Sequence, residues 1–285
     1  MKVAVIDIGS NSARLMLSEN GVTLYKISQI TALAKDMGEE LLLKPKAIET
    51  TFSVVSFFID KAKKDGAEKI YAFATAAVRT SKNKDFFVSE FYKNFGINLD
   101  VVSGDCEAEL GLLGALKGGD GAIIDVGGAS TEITVCKNSN IIYKKSLPYG
   151  CVKVTDICGQ DKNVLDDFCK NFVLEYGDVP FSNFYGIGGT ATSMASISLE
   201  LKVYDSKIIN GQVLTYNDIL SIIDKIFTTP IDKRNEIIGL QKGRERVIGA
   251  GAIILKNLME YLKIKEITIS EDDNLEGYLL KGKHE

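Results

Sequence analysis

An α/β fold of two duplicated domains, facing each other across a cleft, is what this 285-residue sequence predicts. Positions 3 to 15 read VAVIDIGSNSARL, an apolar run that ends in Asp7 and turns on Gly9, Ser10, Asn11 and Ser12. Positions 122 to 133 read AIIDVGGASTEI and repeat that layout with Asp125, Gly127, Gly128, Ala129 and Ser130. After each copy come two more short strand-like runs and then alternating helical and extended patterns, the signature of an α/β chain built by duplication. The length suffices for two cores.

In the first half, Lys2 to Ile8, Arg14 to Ser18 and Val22 to Ile27 read as strands, the last two joined by a tight turn at Asn20-Gly21. From Pro45 to Asp65 apolar residues recur at helical spacing (Ile48, Phe52, Val55, Phe58, Ile59, Ala62), with Pro45 at the start and Gly66 just beyond the end. A strand over Lys69 to Ala74, a helix over Lys84 to Asn94, a strand over Asn98 to Val102 and a helix over Glu107 to Leu116 follow. The second half opens with strands over Ala122 to Val126, Glu132 to Lys137 and Ile141 to Leu147, with a turn at Asn138-Ser139-Asn140. Helices are expected over Val164 to Glu175, Thr190 to Leu201, Asn217 to Phe227 and Arg244 to Leu262, and strands over Phe184 to Ile187 and Glu266 to Ile269. Gly118 to Gly121 is the expected hinge, which gives domains over 1–118 and 119–276.

Composition removes several chemistries. The only histidine is His284, so Ser-His-Asp triads, Cys-His pairs and histidine zinc sites are excluded. Acid-base work is left to carboxylates, lysine, tyrosine or a metal-bound water. The five cysteines, Cys106, Cys136, Cys151, Cys158 and Cys169, form no C-x-x-C pair and read as reduced thiols. A net charge of -4 gives no global attraction to nucleic acid or membrane, and no run approaches the ~20 apolar residues of a membrane span. The chain enters a strand directly without a signal-peptide pattern, so a cytoplasmic location is expected.

A strand ending in Asp, followed by glycine and small polar residues, presents backbone N–H groups at a hairpin tip. Glycine lets a phosphate oxygen approach the backbone, and the carboxylate beside it can hold a divalent cation or its waters. One such hairpin is equally well an ordinary polar turn; two copies facing each other would grip one phosphate chain. A third cluster, Gly186-Ile187-Gly188-Gly189-Thr190, joins a strand to a helix whose N-terminus suits an anion. Its G-x-G-G spacing is not the dinucleotide fingerprint, and there is no Walker A sequence.

The order DIGSNSARL, FATAAVRTS, VSGDCEAEL, DVGGASTE, GIGGTATSM, GRERVIGAGAIIL resembles the exopolyphosphatase and guanosine pentaphosphate phosphohydrolase family over nearly the whole chain. The resemblance implies two ribonuclease-H-like domains of the actin, Hsp70 and sugar-kinase superfold. It implies release of the terminal phosphate of polyphosphate or of guanosine pentaphosphate, with Mg²⁺ or another divalent cation. Glu107 falls where that family has the carboxylate that activates water, although a helix-start glutamate complementing the dipole would look the same. Asp7, Asp125 and Glu132 match the metal-side carboxylates. Gly9, Ser10, Asn11, Ser12 and Arg14 resemble the first phosphate loop, and Gly127, Gly128, Ser130 and Thr131 the second. Gly188, Gly189 and Thr190 would add phosphate contacts, and Arg79 resembles an arginine directed at the phosphate chain. The resemblance also implies that residues 277–285 pack back on the first domain and that a homodimer forms.

Three departures stand out. Ala129 replaces a third glycine, Arg246 stands where an acidic residue is common, and the helical histidine-aspartate extension of longer members is missing after ISEDDNLEGYLL. The last implies a shorter reach along the substrate. Two other readings stay open: an ATP-dependent small-molecule kinase of the same superfold, and a non-catalytic nucleotide or alarmone sensor. The presence of Glu107 speaks against the sensor, and VSGDCEAEL has no kinase counterpart.

Overall fold

The computed structural model describes residues 1–138, 140–180 and 183–282. His284, Ser139 of the expected turn and the end of the 277–285 segment lie outside the described residues. The first half contains β1 (Lys2–Ile8), β2 (Ser12–Glu19), β3 (Val22–Ile30), α1 (Pro45–Lys64), β4 (Lys69–Ala74), α2 (Ala76–Thr80), α3 (Lys84–Phe95), β5 (Leu99–Val101) and α4 (Gly104–Leu116). The second half contains β6 (Gly121–Val126), β7 (Thr131–Lys137), β8 (Asn140–Leu147), α5 (Cys151–Cys158), α6 (Lys162–Phe172), β9 (Phe184–Ile187), α7 (Gly188–Ser198) and α8 (Ser206–Ile209). It continues with β10 (Val213–Thr215), α9 (Tyr216–Thr228), α10 (Ile248–Tyr261), β11 (Glu266–Ile269) and α11 (Asn274–Lys281).

The two sheets share one topology. The first runs β3-β2-β1-β4-β5, and the second runs β8-β7-β6-β9-β11 with β10 added at the far edge. In each, a three-strand antiparallel meander is joined to two parallel strands through crossover helices. The register repeats as well: Asp7 pairs across the first hairpin with Arg14, and Asp125 pairs across the second with Glu132. The central strands β1 and β6 are buried almost throughout, which explains their unbroken apolar reading.

Helix α1 starts at Pro45 and ends before the left-handed Gly66, with Ile48, Val55, Phe58, Ile59 and Ala62 buried against the first sheet. Its last turn carries Lys61, Lys63 and Lys64, which complement the carbonyl end of the helix. Strands β2 and β3 run past the expected ends because β2 is hydrogen-bonded on both sides, by β1 and β3, as far as the loop at Asn11. Helix α4 begins at Gly104 rather than Glu107, because the Ser103 hydroxyl accepts the Cys106 amide and caps it. The expected helix over Arg244 to Leu262 is shorter: α10 starts at Ile248, and the residues before it form turns around Gly239 and Gly243, both at positive φ. The expected helix to Glu175 gives way at Val173 to a 3-10 turn ending at Tyr176.

Helix α11 lies on the first sheet. Leu275 and Tyr278 join Val5, Met16, Phe73, Val102 and Leu110 in one apolar cluster, and the Tyr278 ring stacks on Phe73 at 4.7 Å. The chain therefore crosses between the sheets a second time, from β11 into α11. All five cysteines are free thiols, three of them buried. Among the described residues no helix is long and apolar enough to cross a membrane.

Candidate active site

The two Asp-Gly hairpins face each other across a cavity of about 70 Å³. Asp7, Gly9, Ser10, Asn11, Ser12 and Arg14 line it from one side, and Asp125, Gly127, Gly128 and Ser130 from the other. Gly188, Gly189 and Thr190, at the start of α7, and Glu107 complete the predicted set that reaches it. The loops nearly touch: a Cβ on Gly128 would sit 2.7 Å from the Ser10 Cβ. Each loop is braced from behind. Thr31 and Ala32 amides donate to the Asn11 carbonyl, and the Cys151 and Val152 amides at the start of α5 donate to the Gly127 and Gly128 carbonyls. The Thr190 hydroxyl donates to the Val126 carbonyl, so it ties α7 to the end of β6.

Three of the predicted residues lie outside the cavity lining. Arg79, at the end of α2, donates from Nη1 to Glu107 Oε2 at 2.8 Å and to the Val102 carbonyl at 2.9 Å. Thr131 is turned inward and donates to the Tyr149 carbonyl. Glu132 is buried beneath the second loop, where its Oε1 accepts from the Ser146 hydroxyl at 2.6 Å. As neighbours in β7 the two side chains point to opposite faces, Glu132 on the face it shares with its cross-strand partner Asp125.

The electrostatics are dominated by buried carboxylates. Burial pushes Glu107 above the usual carboxylate range, and the Arg79 guanidinium only partly offsets it. Asp125 is pushed up to about 8 by burial and by the nearby Glu107 charge. Glu132 is raised further by burial, with Glu107 and Asp125 adding to the effect. Asp7 is raised by burial against the pull of Arg14. Among the described residues, the carboxylate oxygens Asp7 Oδ1 and Glu132 Oε2 are buried without a hydrogen-bond partner. Asp125 fits against Gly188, whose φ of +74° and missing Cβ (which would lie 2.4 Å from Asp125 Oδ1) only glycine supplies.

One charged residue of the lining is not among the predicted site residues. Arg244 is 7% exposed, forms the wall between this cavity and a second one of about 530 Å³, and donates from Nε to Gln241 Oε1 at 2.8 Å. Burial lowers its pKa, with no carboxylate partner among the described residues to counter that. By contrast Arg246 faces away and pairs with Asp156. The two cavities share Arg14, Gly188, Gly189 and Arg244.

The Ppx/GppA phosphatase family profile matches residues 5–284. Among curated relatives, a bifunctional 3-dehydroquinate synthase/phosphatase of Fusobacterium nucleatum is 33% identical over 98% of this chain, which spans 46% of that protein. Exopolyphosphatase 2 of Mycobacterium tuberculosis is 28% identical over 98% of both chains. A guanosine-5'-triphosphate,3'-diphosphate pyrophosphatase of Pseudoalteromonas translucida is 27% identical, and this chain spans 58% of its length. Among solved structures, an exopolyphosphatase-like protein superposes with a TM-score of 0.89 at 23% identity over 98% of both chains. The Aquifex aeolicus Ppx/GppA family member does so at 0.80 and 28% identity, over 100% of this chain and 99% of its own. With the duplicated sheets, the paired Asp-Gly loops and the buried glutamate already in place, the match over nearly the full length makes this chain a member of the Ppx/GppA phosphatase family.

Proposed function

We propose that the protein releases the terminal phosphate of inorganic polyphosphate by attack of a water that Glu107 activates, with guanosine pentaphosphate as a second substrate. The observation that carries this reading is the size and wall of the inner cavity. About 70 Å³ matches one phosphoryl group, or roughly two waters, and Glu107 is on its wall. A substrate would place only its last phosphate there, and the rest would extend past Arg14 and Arg244 into the 530 Å³ cavity. That second space suits further phosphates or a nucleoside, and the two kinds of relative act on these classes by name.

The donor set fits a divalent cation that arrives with the phosphates. Among the described residues Asp7 Oδ1 and Glu132 Oε2 are buried without partners, and Asp125 is pushed up by burial and by the neighbouring Glu107 charge. Among the described residues no three such side chains could hold a metal alone, which agrees with Mg²⁺ sharing its shell between one or two carboxylates and substrate phosphates. Asp7 and Asp125, which line the cavity, are the residues that would hold it, with Glu132 behind Asp125, and when bound it would neutralise phosphate charge. Glu107 Oε2 is engaged by Arg79, so Oε1 takes the proton of the attacking water. Burial raises the basicity of that carboxylate towards the working pH. The loop amides and the start of α7 stabilise the charge that develops on the phosphoryl oxygens. Arg79 orients the base.

The test is phosphate release measured in parallel from long polyphosphate, short polyphosphate, pppGpp and ATP. Release from the first three with little from ATP supports the reading. No release from any, with phosphate transfer from ATP to an acceptor instead, would overturn it.

A further inference from the structure

Arg14 and Asp7 face each other across the β1–β2 hairpin, where an arginine would ordinarily close a two-bond fork on both oxygens of the carboxylate. That fork does not form. Both Nε, at 3.0 Å, and Nη2 donate to the same oxygen, Asp7 Oδ2. The third nitrogen, Nη1, donates to Asp273 Oδ2, which comes from the loop between β11 and α11. Asp7 Oδ1 is left buried with no hydrogen bond.

Asp273 is held firmly enough to do this. It is 5% exposed, its Oδ1 accepts the Leu275 amide as the N-cap of α11, and its own amide donates to Glu276 Oε2 at 3.0 Å. Glu276 in turn accepts from Lys26 of β3 at 2.6 Å. The Asp273 backbone also rests on Gly114 of α4, where a Cβ would lie 1.9 Å from its carbonyl oxygen. The carboxylate thus approaches from a fixed element, on the side of Arg14 away from Asp7.

We propose that Asp273 is a positioning residue. By taking Nη1 it draws the guanidinium onto one oxygen of Asp7 and keeps the other, Oδ1, free for the cation that accompanies the phosphate chain. This rests on the metal-assisted phosphohydrolase reading above. An oxygen already committed to a guanidinium is a poor cation ligand, so the arrangement sets metal affinity without Asp273 touching the metal. Outer residues that orient ligands typically change affinity by about 10–100-fold.

Asp273→Asn separates this role from a structural one. The amide oxygen still caps α11, whereas the group facing Arg14 becomes an N–H donor that cannot accept from it. The full-length protein is titrated with Mn²⁺ in the presence of a non-hydrolysable methylene-bridged triphosphate, and free Mn²⁺ is read by electron paramagnetic resonance. The expected result is Mn²⁺ binding weakened by about 10–100-fold in a protein that still folds, with an unchanged circular-dichroism spectrum. Asp273→Ser, which also caps, should behave alike. In an Arg14→Gln background, Asp273→Asn should add less than about twofold, because the effect runs through Arg14. Mn²⁺ affinity equal to wild type in both Asp273 variants, or an Asp273→Asn effect that is undiminished when Arg14 is gone, overturns the proposal. Phosphate release by the wild type is scored separately: its absence would sink the hydrolase reading, while equal Mn²⁺ affinities with intact hydrolysis would sink only the role of Asp273.

Discussion

Glu107 and Arg244 are two buried charges that look into the inner cavity with different company. Glu107 shares an ion pair with Arg79 at 2.8 Å, and its sequence motif pointed to it directly. Arg244 has no acidic partner among the described residues, and it was hidden because GRERVIGAGAIIL reads as a continuous helical pattern in which a first-turn arginine would face solvent. A buried guanidinium without a carboxylate is costly unless an anion fills its place. Replacing Arg244 with Gln should raise KM for polyphosphate by about 10–100-fold while lowering kcat far less, the scale of a lost hydrogen bond between charged groups. Steady-state kinetics check it. A second residue-scale prediction concerns Glu271, in the outer cavity, pushed up to about 7 by burial against the hydrogen bond from Tyr204. A raised carboxylate pKa means that stability is full below the unfolded value near 4.5 and declines as pH rises towards 7. Glu271→Gln should therefore stabilise the protein by about 1–2 kcal/mol at pH 8 and leave it unchanged at pH 4, measured by urea unfolding.

The repeated hairpins were legible at the level of elements because each joins an unbroken apolar strand to a glycine turn, and the structure shows the same register in both. What the repeat concealed was chemical asymmetry: Arg14 and Glu132 occupy matching positions opposite Asp7 and Asp125, so one hairpin is internally neutralised and the other doubly acidic. Helix α5 was missed because its eight residues are too few to establish a periodicity, and α11 because its apolar positions are flanked by charges. The D-x-x-E of Asp273 and Glu276 was the available signal for α11, and both form a capping box. Helices α4 and α11 meet through glycines: a Cβ on Gly114 would lie 1.9 Å from Asp273 O, and one on Gly277 would lie 1.8 Å from Leu110 O. Gly114→Ala should push α11 off α4, with a loss of about 1–3 kcal/mol in unfolding free energy and a matching fall in activity, since Asp273 moves with it.

At the scale of the whole molecule, the cleft combines a net charge of -4 on the chain with a local surplus of acid. Asp7, Glu107, Asp125, Glu132 and Asp273 outnumber Arg14, Arg79 and Arg244 around the inner cavity. Burial keeps Asp125 and Glu132 largely protonated, and a cation arriving with the phosphates would favour their ionised forms, so a divalent cation should be needed for binding and not only for turnover. Chelation with EDTA should weaken tripolyphosphate binding by at least about 10-fold, with recovery on adding Mg²⁺, as followed by calorimetry. The duplicated topology was readable from pattern alone. The second crossing of the chain, through α11 onto the first sheet, was not, because it depends on which face of a short helix finds the Phe73 and Leu110 cluster.

The central claim is that Glu107 activates water against a terminal phosphate held between the two hairpins. It is tested most directly by phosphate release from polyphosphate at saturating Mg²⁺, comparing wild type with Glu107→Gln. Glu107→Gln should lower kcat by about 10²–10⁴-fold with KM changed only slightly, since the amide keeps the shape of the wall and a contact to Arg79. A kcat for Glu107→Gln equal to that of the wild type would contradict it.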